Sequence, residues 1–144
     1  MEPVGVRAWA GVLRVHAALV PTLDRELQAA TGLPLAWYGV LLELARAPRH
    51  RLLMTELGNR VVLSRTRVSR LVDELESAGY VSRAPHPTDR RATFAVLTPV
   101  GRRRQRAAAP VYLAGIAAHF ARHMDARELA TMADALERVA RAET

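Results

Sequence analysis

Between residues 64 and 70 the chain reads Ser64, Arg65, Thr66, Arg67, Val68, Ser69, Arg70. Guanidinium groups interleaved with hydroxyls suit one kind of chemistry. An arginine fork can bind guanine O6 and N7 through two parallel hydrogen bonds, while a serine or threonine hydroxyl reaches a phosphate or a base edge. The charge order sharpens the point: Arg65, Arg67 and Arg70 come first, and Asp73, Glu74 and Glu76 follow. A helix macrodipole favours the opposite order by about 0.3–1 kcal/mol per charge near the ends. A helix selected for stability alone would carry its acids first, so this order fits an N-terminal half turned toward a polyanion. Arg70 also has a local reading, as a partner of Asp73 or Glu74 on a solvated face. A second cluster, Asp89-Arg90-Arg91, reads as a salt bridge when taken alone. Carried on a short ribbon, its arginines fit the narrow minor groove and its enhanced negative potential.

The elements that must hold these groups follow from periodicity and punctuation. The 64–78 segment places Val68, Leu71, Val72, Leu75 and Ala78 on one helical stripe, with Ser64 as its cap and Gly79 as its stop. A short helix over Met54–Val61 precedes it, supported by a Glu56 to Arg60 pair at i,i+4. Two short helices joined by a tight turn, here Val61-Val62-Leu63, form a helix-turn-helix. Extended runs over 80–84 and 92–97 flank the turn-forming residues 85–91, Pro-His-Pro-Thr-Asp-Arg-Arg, and read as a hairpin wing.

The flanks are helical. Trp9, Val12, Leu13, His16, Leu19, Leu23 and Leu27 recur at three- and four-residue steps, with a kink or restart expected at Pro21 and Thr22 as its cap. Gly32 and Pro34 separate this helix from a second one that stops at Ala47-Pro48, before a basic loop at Arg49-His50-Arg51. Thr98-Pro99 opens a long helix to about Arg122, bent at Pro110, and Asp125 to Glu128 has capping-box spacing ahead of Leu129, Met132, Leu136 and Val139. The expected fold is mainly α with a small two- to three-stranded β wing. A chain of 144 residues has little core against which to bury the stripes at both ends. A second copy would supply that surface.

Composition narrows the alternatives. The chain has no cysteine and no lysine, and all 21 of its basic residues are arginine. Thiol chemistry, Cys-ligated zinc, Schiff bases and lysine-dependent phosphate loops are therefore excluded. The formal net charge of +7 resides wholly between Arg60 and Arg106, where eleven arginines face four acids, while acids and arginines cancel elsewhere. A localised basic field of this kind points to nucleic acid. No apolar run is long enough to span a bilayer and no leader precedes the first helix, so a cytoplasmic location is expected.

The run from Leu63 through Arg83, then Asp89-Arg90-Arg91, then Leu97-Thr98-Pro99-Val100-Gly101, resembles the core of the MarR family in order and spacing, over about residues 35–105. The resemblance implies a single domain. Residues of about 1–34 and 99–144 would form dimerisation helices and residues of about 35–98 a winged helix-turn-helix. It also implies a homodimer on an inverted repeat of double-stranded DNA, acting as a repressor until a small aromatic or phenolic effector weakens the grip. Carried over residue by residue, Asp89 would hold the wing and Arg91 would enter the minor groove with Arg90 beside it. Gly58 stands where the family often has alanine.

An effector site would draw on Trp9, His16, Trp37, Tyr38 and Tyr112, although aromatics at helical spacing also serve as plain core. His119 and His123 have zinc-compatible spacing but no second ligand cluster, so no metal or cofactor is expected. Two other classes compete with this reading. A nonspecific architectural DNA binder would share the basic middle of the chain. A small helical enzyme would need paired carboxylates, a nucleophile with its base or a phosphate loop, and the sequence offers none of these arrangements.

Overall fold

A computed structural model describes residues 1–61 and 65–143, with Arg65 described by its backbone only. The elements run α1 (Val4–Thr31), α2 (Leu35–Arg46), β1 (Arg51–Leu53), α3 (Met54–Val61), α4 (Arg65–Ser77), β2 (Val81–Pro85), β3 (Thr93–Leu97), α5 (Pro99–His119) and α6 (Ala126–Ala142). The fold is mainly α with a three-stranded antiparallel sheet in the order β1-β3-β2. The first strand lies where the sequence suggested a basic loop: Arg51, Leu52 and Leu53 pair with Val96, Ala95 and Phe94. The wing hairpin is in register from Val81 opposite Leu97 to Pro85 opposite Thr93.

The chain forms two compact units, Asp24–Pro110 and Met1–Leu23 with Val111–Thr144. Among the described residues, every buried apolar side chain belongs to the first unit. Its core joins Tyr38, Leu41 and Leu44 of α2 to Leu57 of α3, Leu75 of α4 and Ala95 of β3. Periodicity explains the selection, since each helix turns one apolar stripe inward and β3 buries Ala95 and Leu97 at alternate positions. Side chains also close the helix ends of this unit. The Asp24 carboxylate accepts the Leu35 N–H at 2.8 Å, and the Arg104 guanidinium donates to the Thr31 carbonyl, which ends α1, at 2.6 Å. Thr98 Oγ1 caps α5 by accepting the Gly101 N–H at 3.0 Å and donates to the Gly79 carbonyl at 2.6 Å. Gly101 is required here, because a Cβ would lie 2.0 Å from the Tyr80 carbonyl oxygen.

The second unit is built differently. It holds the first part of α1, the end of α5 and all of α6, which has no buried residue. Val6, Trp9, Leu13, Leu113, Leu136 and Val139 are all exposed. The expected capping box is present: Asp125 accepts the Glu128 N–H at 2.8 Å, and Glu128 accepts the Asp125 N–H at 3.0 Å.

Three local expectations change. Helix α1 continues through Pro21 without a restart, and Thr22 Oγ1 donates to the Ala18 carbonyl within the helix instead of capping a new one. Proline is tolerated because Ala17, whose carbonyl loses its partner, is exposed to water. Helix α5 ends at His119 and gives way to a 3₁₀ turn over Ala121–His123. Arg60 approaches Glu43 of α2 at 3.7 Å, while Glu56 accepts the Leu53 N–H at 3.0 Å at the start of its own helix. Among the described residues no helix is long and apolar enough to cross a membrane.

Candidate nucleic-acid interface

Helix α4 separates its two faces cleanly. Val68, Leu71, Val72 and Leu75 are buried, and Thr66, Arg67, Ser69 and Arg70 are exposed on the other side. Thr66, Ser69, Arg70 and Asp73 line a shallow open depression along that side. Arg65 opens the helix, and Ser64, the expected cap, lies outside the described residues. The N-terminal half of α4 thus offers donors and cations to solvent, while its stripe fixes the helix to the core.

The acids at the other end of α4 serve the wing and α2. Arg83 of β2 reaches Asp73 at 2.8 Å and Glu76 at 2.9 Å, and also donates to the Ser69 carbonyl at 3.2 Å. One guanidinium therefore ties the hairpin to the helix. Glu74 accepts the indole N–H of Trp37 at 3.0 Å. The unusual charge order on α4 gains a structural reason: its acids anchor neighbouring elements, and Arg67 and Arg70 are exposed. Sequence reading did not single out Arg83. The available signal was an arginine on the strand that follows a helix ending in acids.

The wing tip is organised by two side chains. Asp89 Oδ1 accepts the Arg91 N–H at 2.9 Å and lies 3.9 Å from the Arg91 side-chain Nε. Asp89 therefore shapes the backbone beneath Arg91 more than it restrains the guanidinium, whose side chain is 97% exposed. His86 Nδ1 accepts the N–H groups of Thr88 at 3.2 Å and Asp89 at 3.1 Å. Backbone bonds from His86 N to the Ala92 carbonyl and from Ala92 N to the Asp89 carbonyl, both 3.1 Å, close the turn. Arg90 and Arg91 project from this turn into solvent.

The aromatic residues considered for an effector are distributed over both units. Trp37 and Tyr38 belong to the unit of residues 24–110, and Trp9, His16 and Tyr112 to the other. Tyr38 is a core residue, 2% exposed, while Trp37 meets Tyr80 edge-on with ring centroids 6.2 Å apart. Trp9 and His16 are exposed on α1, and Tyr112 is half-buried on α5. An apolar depression in the second unit is lined by residues including Val12, Leu19, His119, Phe120, His123 and Met132. Among the described residues no group of three or more metal-ligating side chains comes together.

A protein-family comparison matches residues 31–92 to the MarR family. The chain is 30% identical to AbsC, a MarR family transcriptional regulator from Streptomyces coelicolor, covering 99% of this chain and 95% of that one with a TM-score of 0.85. It is likewise 30% identical to Sco3205 of the same organism, a MarR family regulator solved in complex with DNA, covering 100% and 94% of the two chains with a TM-score of 0.87. The HTH-type transcriptional regulator PrsX of Escherichia coli is 37% identical over 76 residues, 53% of this chain and 46% of PrsX. The chain thus spans about half the length of that curated relative. With both Streptomyces structures matching along nearly its full length at 30% identity, the chain belongs to the MarR family, whose members are transcriptional regulators and not enzymes.

Proposed function

We propose that the chain binds an inverted repeat of duplex DNA as a homodimer and represses transcription until a small aromatic or phenolic effector releases it. The observation that carries this reading is the exposed N-terminal half of α4, bearing Thr66, Arg67, Ser69 and Arg70 on one face. In this reading α4 enters the major groove, with Arg65, Arg67 and Arg70 directed at base edges and Ser64, Thr66 and Ser69 at bases or phosphates. Asp89 shapes the tip, and Arg90 and Arg91 reach the adjacent minor groove.

Dimerisation is assigned to the helices outside the DNA-reading region. Support comes from the unit of residues 1–23 and 111–144, where large apolar side chains such as Trp9, Leu13, Leu113, Leu136 and Val139 remain exposed. Large apolar side chains exposed in such number on one unit call for a cover in a stable protein, and a second copy presents the same side chains in return. A two-fold dimer places two α4 helices on symmetric half-sites, and occupancy of such a site over a promoter excludes polymerase. The proposed location is the cytoplasm.

A salt titration of binding tests this reading, using an operator recovered by selection from random duplexes and a scrambled duplex of equal length. Arg67→Ala should cost about 1–3 kcal/mol on the operator and blur preference at one symmetric pair of positions. Arg91→Ala should weaken both duplexes more evenly and lower the slope of log affinity against log salt by about one per lost phosphate contact. Equal affinity of the wild type for both duplexes would instead identify a nonspecific architectural binder.

A further inference from the structure

We propose that His86 is the positioning residue of the wing: its Nδ1 shapes the turn that presents Arg90 and Arg91, so that duplex binding requires the neutral imidazole. The proposal rests on the reading of the wing as a DNA contact. Its basis is the pair of backbone N–H groups, of Thr88 and Asp89, that converge on one ring nitrogen at 3.2 and 3.1 Å. A backbone N–H can only donate, so Nδ1 carries no proton and the ring proton is on Nε2.

The ring is held from the sheet side as well. It stacks on Phe94 of β3 with centroids 5.6 Å apart and planes 17° apart. The Arg51 guanidinium of β1 lies over the same Phe94 ring, 4.2 Å from its centroid. His86 therefore joins a fixed point on β3 to a tip that contains Pro87, which supplies no donor of its own. Without an acceptor at position 86, Thr88 and Asp89 lose the side-chain cap that holds their N–H groups inside the turn. The Asp89 carboxylate still holds the Arg91 N–H, but the segment leading up to it is freed.

Protonation has the same effect as removing the acceptor. A proton on Nδ1 would point a third donor at two N–H groups, so both bonds must break. Asp89, Arg90 and Arg91 share the turn with the ring, and Arg51 lies on β1. The charged ring cannot accept, so a protonated ring frees the tip.

The test uses the full chain and a scrambled duplex, which needs no knowledge of the operator. His86→Phe keeps a ring that can stack on Phe94 and removes the acceptor. His86→Asn removes the ring but restores a side-chain oxygen able to accept N–H groups two and three residues on, as Asx turns do. Arg91→Ala reports whether the wing contacts DNA at all. His86→Phe should weaken binding roughly three- to tenfold and lower the salt slope by about one per wing. It should also speed amide exchange at Thr88 and Asp89 in the free protein while leaving the thermal midpoint close to wild type. His86→Asn should recover affinity and slow exchange, and should lack the loss of affinity expected of wild type on acidification. If Arg91→Ala weakens binding and His86→Phe does not, or if His86→Asn follows the wild-type pH profile, the role of His86 is overturned and the wing contact stands. If Arg91→Ala has no effect, the wing contact itself falls.

Discussion

Replacing Arg83 with methionine keeps the aliphatic stem on β2 and removes the group that joins the wing to α4. Three contacts are lost, to Asp73 at 2.8 Å, Glu76 at 2.9 Å and the Ser69 carbonyl at 3.2 Å. The Asp73 and Glu76 side chains are 65% and 44% exposed, so water screens both pairs. Each contributes about 0.2–1 kcal/mol on that account, and the carbonyl bond adds about 1 kcal/mol. Urea unfolding of Arg83→Met should therefore show a loss of about 1.4–3 kcal/mol. The effect on DNA has a second source, since two carboxylates near the reading face of α4 lose their cation and would repel phosphates, giving a loss of about tenfold at moderate salt. The two effects separate in the triple variant Arg83→Met, Asp73→Asn, Glu76→Gln. It should regain most of the affinity for a duplex but not the stability, because the repulsion is gone and the tie is still missing. Stability within about 0.3 kcal/mol of wild type for Arg83→Met, or no recovery of affinity in the triple variant, would refute the clamp.

Gly101→Ala should destabilise the unit of residues 24–110 by about 2–4 kcal/mol in the same assay. The new Cβ, 2.0 Å from the Tyr80 oxygen, must displace backbone that carries the bonds of Thr98 to Tyr80 and Gly79. Arg49→Gly should raise the thermal midpoint by roughly 2–6 °C, because Arg49 sits at φ 59°, where a side chain costs about 1 kcal/mol and glycine none. Truncation before Asp125 should convert the proposed dimer to monomer or aggregate by light scattering, since it removes the exposed Leu136 and Val139 together with the rest of α6. Brief peroxide treatment should leave DNA binding intact in a gel-shift assay, because the chain has no cysteine and methionine oxidation is the slower remaining route.

The parts of the fold written in one-dimensional signals were legible in the sequence. Helix α4 announces itself by a stripe and a terminal glycine, and Gly79 indeed adopts φ 81°. The Asp125 box and the Thr98 cap depend only on neighbours three residues away, and both form. The hidden features depend on partners far along the chain. Strand β1 is three residues long and exists because β3 offers it an edge; no periodicity can show over such a length. Arg60 finds Glu43 on α2 and leaves the helical spacing to Glu56 unused. Arg104 reaches the end of α1 across 73 residues, a distance that no local pattern encodes.

The charge order on α4 shows how two demands on one helix are reconciled. Cations in the first half oppose the macrodipole, at about 0.3–1 kcal/mol each near the ends, and acids in the last half do so again. The acids are offset by tertiary partners, since Arg83 answers Asp73 and Glu76, and Trp37 answers Glu74. The exposed cations Arg67 and Arg70 lie on the face turned away from the buried stripe, and the proposed duplex would supply phosphates there. On this argument, free protein should gain stability when duplex or another polyanion is added, and the gain should shrink with salt. Reversing the order, with Arg67→Glu and Glu74→Arg, should improve the isolated helix while removing both duplex affinity and the bond to Trp37. Circular dichroism of the corresponding peptides, set beside duplex binding by the full chain, would show helix content and affinity moving in opposite directions. Parallel movement would mean that the charge order serves the helix alone.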